Sequence, residues 1–120
     1  MELRALPWHE SVIEAELAKT KVLINASNTP DPANTSPVPA ELLPPELMVL
    51  DLTYVPRDTK LLRDVRGAGA LAAANGDQML IHQTAAAFGL WTGRKDDQIV
   101  ELLTNKLDAT REGEPAAVAE

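Results

Sequence analysis

The residues with chemistry to offer are few and spread along the chain. His82 and Gln83 are adjacent, so on a helix they point about 100° apart and cannot serve one reacting group from the same face. A lone histidine at position 82 reads as a surface or partly buried side chain, and His9, beside Glu10, reads as surface. Gln83 shares a helical face with Met79, Ala86, Ala87 and Leu90. A buried amide without a hydrogen-bond partner costs roughly 1–3 kcal/mol, so the stripe predicts a polar partner for Gln83, which a ligand could supply. The run Asp51-Leu52-Thr53-Tyr54 sets a carboxylate inside an apolar stretch. A strand edge and a satisfied buried carboxylate both account for it, and spacing does not choose between them. Gly67-Ala68-Gly69 has the composition of a phosphate loop but the wrong context. Such loops follow a strand and open a helix, whereas these glycines follow a helical segment and precede an apolar run, so they read as a helix stop. Asp96-Asp97 is explained by helix capping, and no spacing of His, Asp and Glu fits a metal site.

Composition narrows the rest. The 120 residues carry a formal charge of −7, and the aromatic residues are only Trp8, Tyr54, Phe88 and Trp91. A nucleic-acid surface needs cations to displace phosphate counterions and rings on which bases stack, so nucleic acid is excluded as a partner. With no cysteine, disulfides, thiolate metal sites and thiol catalysis are excluded. No apolar run approaches membrane-spanning length, and the Met-Glu-Leu-Arg start has no leader character. The expectation is a soluble, cytoplasmic protein without a membrane partner.

The elements that must position these residues alternate between apolar runs and helical periods, which favours an α/β fold. Residues 3–6 form a short strand candidate stopped by Pro7, and residues 8–19 a helix with Val12, Ile13 and Leu17 on one face. Residues 21–27 are a continuous apolar run of the kind buried on both faces of a parallel sheet. Six of the nine prolines lie within residues 28–47, which excludes long regular elements there. A short helix over residues 39–43 with Ser36 as its cap is the exception. Strands are expected at 48–54 and 70–74, and a helix at 59–65 on Leu61, Leu62 and Val65. Asp77 caps a long helix to about Trp91, ended by Gly93, and Asp96 caps a last helix carrying Ile99, Leu103 and Leu107. Residues 1–111 are expected as one truncated Rossmann-like domain of three to four parallel strands with flanking helices and a C-terminal helix pair, and residues 112–120 as a flexible tail. The strand ends at Ser27, Tyr54 and Gly76 then share the carboxyl edge, where open α/β sheets bind ligands.

Four segments in register carry a resemblance. Residues 51–62 resemble the D-x-x-Y-x-P-x-x-T-x-L segment of shikimate dehydrogenases, and Gly76 to Gln83 resembles their G-x-x-M-L-x-x-Q segment. Residues 87–93, Ala-Phe-Gly-Leu-Trp-Thr-Gly, resemble the A-F-x-L-W-T-G that follows, and residues 22–27 are similar to the family's V-N-A-T strand. The resemblance runs from about residue 3 to 107 and places the chain in the C-terminal, nucleotide-binding portion of the family. It implies an oxidoreductase reducing 3-dehydroshikimate to shikimate with NADPH, in aromatic amino-acid biosynthesis. By matching, Tyr54 and Gln83 are implied as substrate contacts, Leu52 and Gly76 as nicotinamide-side contacts, and Ser27 and Asn28 as positions lining the cofactor groove.

The departures bear on activity. The family's catalytic lysine and aspartate, its glycine-rich loop and its 2′-phosphate clamp have no counterpart here, so no residue is assigned a catalytic role and the chain alone is expected to be inactive. Pro30 and Gln78 stand where the family pattern has glycine. If residues 3–6 are the family's third strand, the strand at 21–27 keeps an open edge, which invites a homo-oligomer, a swapped dimer or a complementary chain. The alternative function is a non-catalytic oligomerising module, or a binding module for shikimate-like molecules or nucleotides.

Overall fold

The computed structural model describes residues 2–94 and 98–111. The expected Asp96 cap and the tail at 112–120 lie outside them. Helix α1 (Glu10–Leu17) leads to strand β1 (Val22–Asn25), and a long irregular connection with one 3-10 turn (Ala40–Leu42) leads to β2 (Met48–Asp51). Helix α2 (Lys60–Gly67) crosses to β3 (Ala72–Ala74), followed by α3 (Asp77–Thr92) and α4 (Gln98–Arg111). The three strands form one parallel sheet in the order β1-β2-β3, with Val22, Met48 and Ala72 in register and Asn25 opposite Asp51.

The chain divides into two compact units, Met1–Asp77 and the part from Gln78 onward. The first holds the core. Leu61, Leu62 and Val65 make a buried stripe along α2 and pack with Val49 of β2, Leu17 of α1, and Val38, Leu43 and Leu47 from the proline-rich connection. That connection contributes side chains to the core although prolines deny it regular structure. Thr59 starts α2 as its N-cap, its hydroxyl accepting from the Leu62 N–H at 3.3 Å. In the second unit, Gly93 closes α3 with φ +69 and donates its N–H to the Gly89 carbonyl at 2.9 Å. That left-handed closure is the one a glycine favours.

Several expectations need correction. Residues 3–6 are irregular rather than a strand, because a short strand persists only when paired and, among the described residues, β1 pairs with β2 alone. The segment is instead tied to α1 by an ion pair between Arg4 and Glu16 at 3.3 Å. Strand β1 is covered on one face only: Leu23 packs on the core, while Val22 and Ile24 are 52% and 56% exposed. Ser36 does not cap the 3-10 turn, whose N-cap is Pro39; its hydroxyl closes a local turn on Val38. Asp77 lies in the first turn of α3 rather than before it. No helix among the described residues is long and apolar enough to cross a membrane.

Candidate functional site

The carboxyl ends of β1 and β2 are joined around one buried carboxylate. Asp51 Oδ1 accepts from Asn25 Nδ2 at 3.0 Å and from the Thr53 N–H at 3.1 Å, and Oδ2 accepts from Thr59 Oγ1 at 2.7 Å. Asp51, Asn25 and Thr59 are all buried. A buried charge persists only when hydrogen-bonded, and three donors supply that here. Of the two readings that spacing left open for Asp51, the satisfied buried carboxylate is the one observed.

The network extends outward from Asn25. Its Oδ1 accepts from the Ser27 N–H at 3.1 Å and from Ser27 Oγ at 2.6 Å, and Ser27 Oγ lies 2.9 Å from Thr29 Oγ1. The Leu52 N–H donates to the Asn25 carbonyl at 3.0 Å, carrying the β1–β2 ladder one step beyond the strands. Ser27, Thr29 and Leu52 therefore sit on a floor whose geometry Asp51 fixes.

Past β3 the chain turns against this floor. The Gly76 N–H donates to the Thr53 carbonyl at 3.1 Å. A Cβ built on Gly76 would overlap the Leu52 carbonyl oxygen and lie 2.7 Å from its carbon, so the position requires glycine for space. The residue pressed on Gly76 is Leu52 itself, and the two positions implied as nicotinamide-side contacts touch each other. The turn is braced by Asn75, whose Oδ1 accepts from the Asp77 N–H at 3.2 Å and whose Nδ2 donates to the Arg57 carbonyl at 3.3 Å. Arg57 Nε donates in turn to the buried Asp77 carboxylate at 2.8 Å.

Ser27, Leu52, Tyr54 and Gly76 thus gather at the ends of three adjacent parallel strands, with Asn28 exposed beside Ser27 and Tyr54 exposed beyond Leu52. Gln83 lies in α3, in the second unit, and is exposed, so the cost of a buried amide does not arise for it. His82 and His9 are exposed as well. Sequence reasoning missed Asn25 and Thr59 as partners of Asp51, and Arg57 as the partner of Asp77. The first had a signal: an aspartate ending one apolar strand, an asparagine at the same point of the previous one, and a threonine just before a helical period.

No family model matches the chain. It is 38% identical over 99 residues to the shikimate dehydrogenase (NADP(+)) of Streptococcus pneumoniae strain Hungary19A-6, covering 80% of this chain and 34% of that protein. Among solved structures it is similar to shikimate 5-dehydrogenase from Thermus thermophilus, in complex with NADP(H) and shikimate. That match has a TM-score of 0.68 at 35% identity and covers 87% of this chain and 38% of the other. Quinate dehydrogenase from Corynebacterium glutamicum, in complex with NAD, matches with a TM-score of 0.69 at 29% identity over 83% and 35% of the two chains. The chain spans about a third of the length of the curated relatives it matches.

Proposed function

We infer that this chain, which belongs to the shikimate dehydrogenase family and matches its C-terminal portion, forms the nicotinamide side of an NADP site for reduction of 3-dehydroshikimate to shikimate. The observation that carries this reading is the contact of Gly76 with Leu52 at the carboxyl edge of a parallel sheet, the edge where open α/β folds take ligands. Bound NADPH would supply the hydride. The residues of this chain would supply position: Leu52 and Gly76 a close-packed wall for the nicotinamide ring, Ser27 and Asn28 polar groups along the groove, and Tyr54 a hydrogen bond to the polyol substrate. Orientation accounts for a large part of many rate enhancements. It does not replace a proton donor or a phosphate loop, and the closely spaced glycines Gly67 and Gly69 lie at the end of α2 and before β3.

Two titrations of the full chain test this reading. NADP+ is expected to bind weakly, with chemical-shift changes at Ser27, Leu52 and Gly76, and NADPH mixed with 3-dehydroshikimate is expected to stay unoxidised. Absence of any NADP+ response along the strand ends would overturn the cofactor reading, and turnover by the chain alone would overturn its division of labour.

A second reading is favoured by a separate observation. Val22, Ile24 and Met48 leave one face of the sheet exposed beside the unpaired edge of β1. A module that pairs this edge with another copy or a complementary chain would use the same fold without chemistry. Stable oligomers together with no response to NADP+ or shikimate would select it.

A further inference from the structure

We propose that the Ser27–Thr29 hydroxyl pair at the end of β1 presents hydrogen-bond acceptors only, and so takes an N–H or O–H donor of a nicotinamide nucleoside while excluding phosphate oxygens. The proposal rests on the reading of this edge as a dinucleotide site and adds to it the polarity of one contact.

The direction of each bond follows from the buried end outward. The Thr53 N–H can only donate, so Asp51 Oδ1 accepts it. Thr59 Oγ1 accepts from the Leu62 N–H, which leaves its own hydrogen for Asp51 Oδ2. The side-chain atom of Asn25 that faces Asp51 Oδ1 is the NH2 group, which donates to it at 3.0 Å. The opposite end of the amide is fixed independently. The Ser27 backbone N–H lies 3.1 Å from it and can bond only to an oxygen. Asn25 Oδ1 therefore faces Ser27 from two separate constraints, and the amide orientation is not a free choice.

Ser27 Oγ lies 2.6 Å from that same Oδ1, an acceptor, so the Ser27 hydroxyl hydrogen is committed inward. Thr29 Oγ1 is 2.9 Å from Ser27 Oγ. Two oxygens at that separation with no hydrogen between them would repel, so Thr29 donates to Ser27. Both hydroxyl hydrogens are then spent, and what remains toward solvent is lone pairs. A ribose hydroxyl or a carboxamide N–H meets them favourably. An anionic phosphate oxygen meets them lone pair to lone pair, which suppresses the wrong ligand in the way unmatched polar groups do.

The test uses the full chain labelled with 15N, titrated with NADP+, with nicotinamide riboside, which carries donors and no phosphate, and with sulfate, whose oxygens only accept. The riboside is expected to move the Ser27 and Thr29 amides and the Asn25 side-chain NH2, and equal sulfate to leave them in place. S27A is expected to weaken riboside binding roughly fivefold, the worth of one neutral hydrogen bond, while S27T retains it. Sulfate shifting these resonances in place of the riboside overturns the proposal. So does riboside binding that moves Leu52 and Gly76 while S27A behaves as wild type, an outcome that leaves the nucleotide site standing. If NADP+ and the riboside move nothing along the edge, the site reading falls, and the ligand preference with it. The polarity is judged separately by amide exchange without ligand. The Ser27 N–H is expected to exchange at least about tenfold more slowly than a free amide, and free-amide exchange there overturns the chain of bonds.

Discussion

An alanine at position 76 would bring its Cβ 2.7 Å from the Leu52 carbonyl carbon and 3.1 Å from the Leu52 Cα. Both are backbone atoms at the end of β2, held by the ladder to β1, so they cannot swing aside as a side-chain tip would. G76A is expected to lower stability by about 1–3 kcal/mol, as overpacked positions do, and to displace the Leu52 and Thr53 amide resonances. G67A is the control: nothing lies within 4 Å of a Cβ there, the residue ends α2 with no positive φ, and a gain of up to about 1 kcal/mol is expected from helix propensity. Denaturant midpoints of the two variants should move in opposite directions. At Asp51 the balance of donors and acceptors decides. Three donors converge on two carboxylate oxygens, and asparagine would turn one of those oxygens into a fourth donor group. D51N is expected to cost about 1–3 kcal/mol. T59A removes both a donor to Asp51 and the α2 cap, a loss of about 1–2 kcal/mol for the cap alone, and T59S should restore most of it.

Elements show where acid pH acts first. Glu16 of α1 bonds Lys19 at 2.9 Å and Arg4 at 3.3 Å. The Lys19 hydrogen bond above all holds its carboxyl below the ordinary value of 4.5, with a smaller opposing desolvation and the Lys19 and Arg4 charges adding to the lowering. A lowered folded-state pKa means the tie is complete above about pH 4.5 and is lost as pH falls through the depressed value. Acidification is therefore expected to release Arg4 and speed amide exchange over residues 2–9 while β2 stays protected, and unchanged exchange there would contradict the assignment. The helix α2 and the parallel strands were legible because helical and apolar periods record which face meets a core. For α3 and α4 the periods marked the helices but not a buried face: Met79, Gln83 and Leu90 of α3 are exposed and no described residue of α4 is buried. Residues 3–6 were not legible, because four apolar-rich residues have strand propensity whether or not a neighbour exists to pair with them. For β1 the run of apolar residues marked a strand but not how many of its faces are covered, which depends on layers elsewhere in the chain. The Asp51 site was half legible: its carboxylate stood out, while Asn25, Thr59 and Ser27 are common turn and cap residues whose convergence only the register of β1 on β2 reveals.

For the molecule as a whole, the open edge and the net charge pull against each other. The outer edge of β1 pairs with no other strand among the described residues and is flanked by Val22 and Ile24 at 52% and 56% exposure, with Met48 at 41% on the same sheet. Arg4, Trp8, Val12 and Ile13 line an apolar groove of about 360 Å³ that reaches the same strand. An unblunted apolar edge of this kind recruits another strand. Against this, every copy carries a formal charge of −7, and like charges separate until salt shortens their reach, from about 30 Å at 0.01 M to about 8 Å at 0.15 M. Association through β1 is therefore expected to increase with ionic strength, as apolar and backbone contacts do when only repulsion is screened. Sedimentation velocity should show a larger species that grows with protein and with salt concentration. I24K, which places a charge beside the unpaired backbone, should return the chain to a monomer with its far-ultraviolet circular dichroism unchanged. A wild-type chain that remains monomeric at high concentration and physiological salt, with its full secondary structure, would show that the exposed edge of β1 does not recruit a strand.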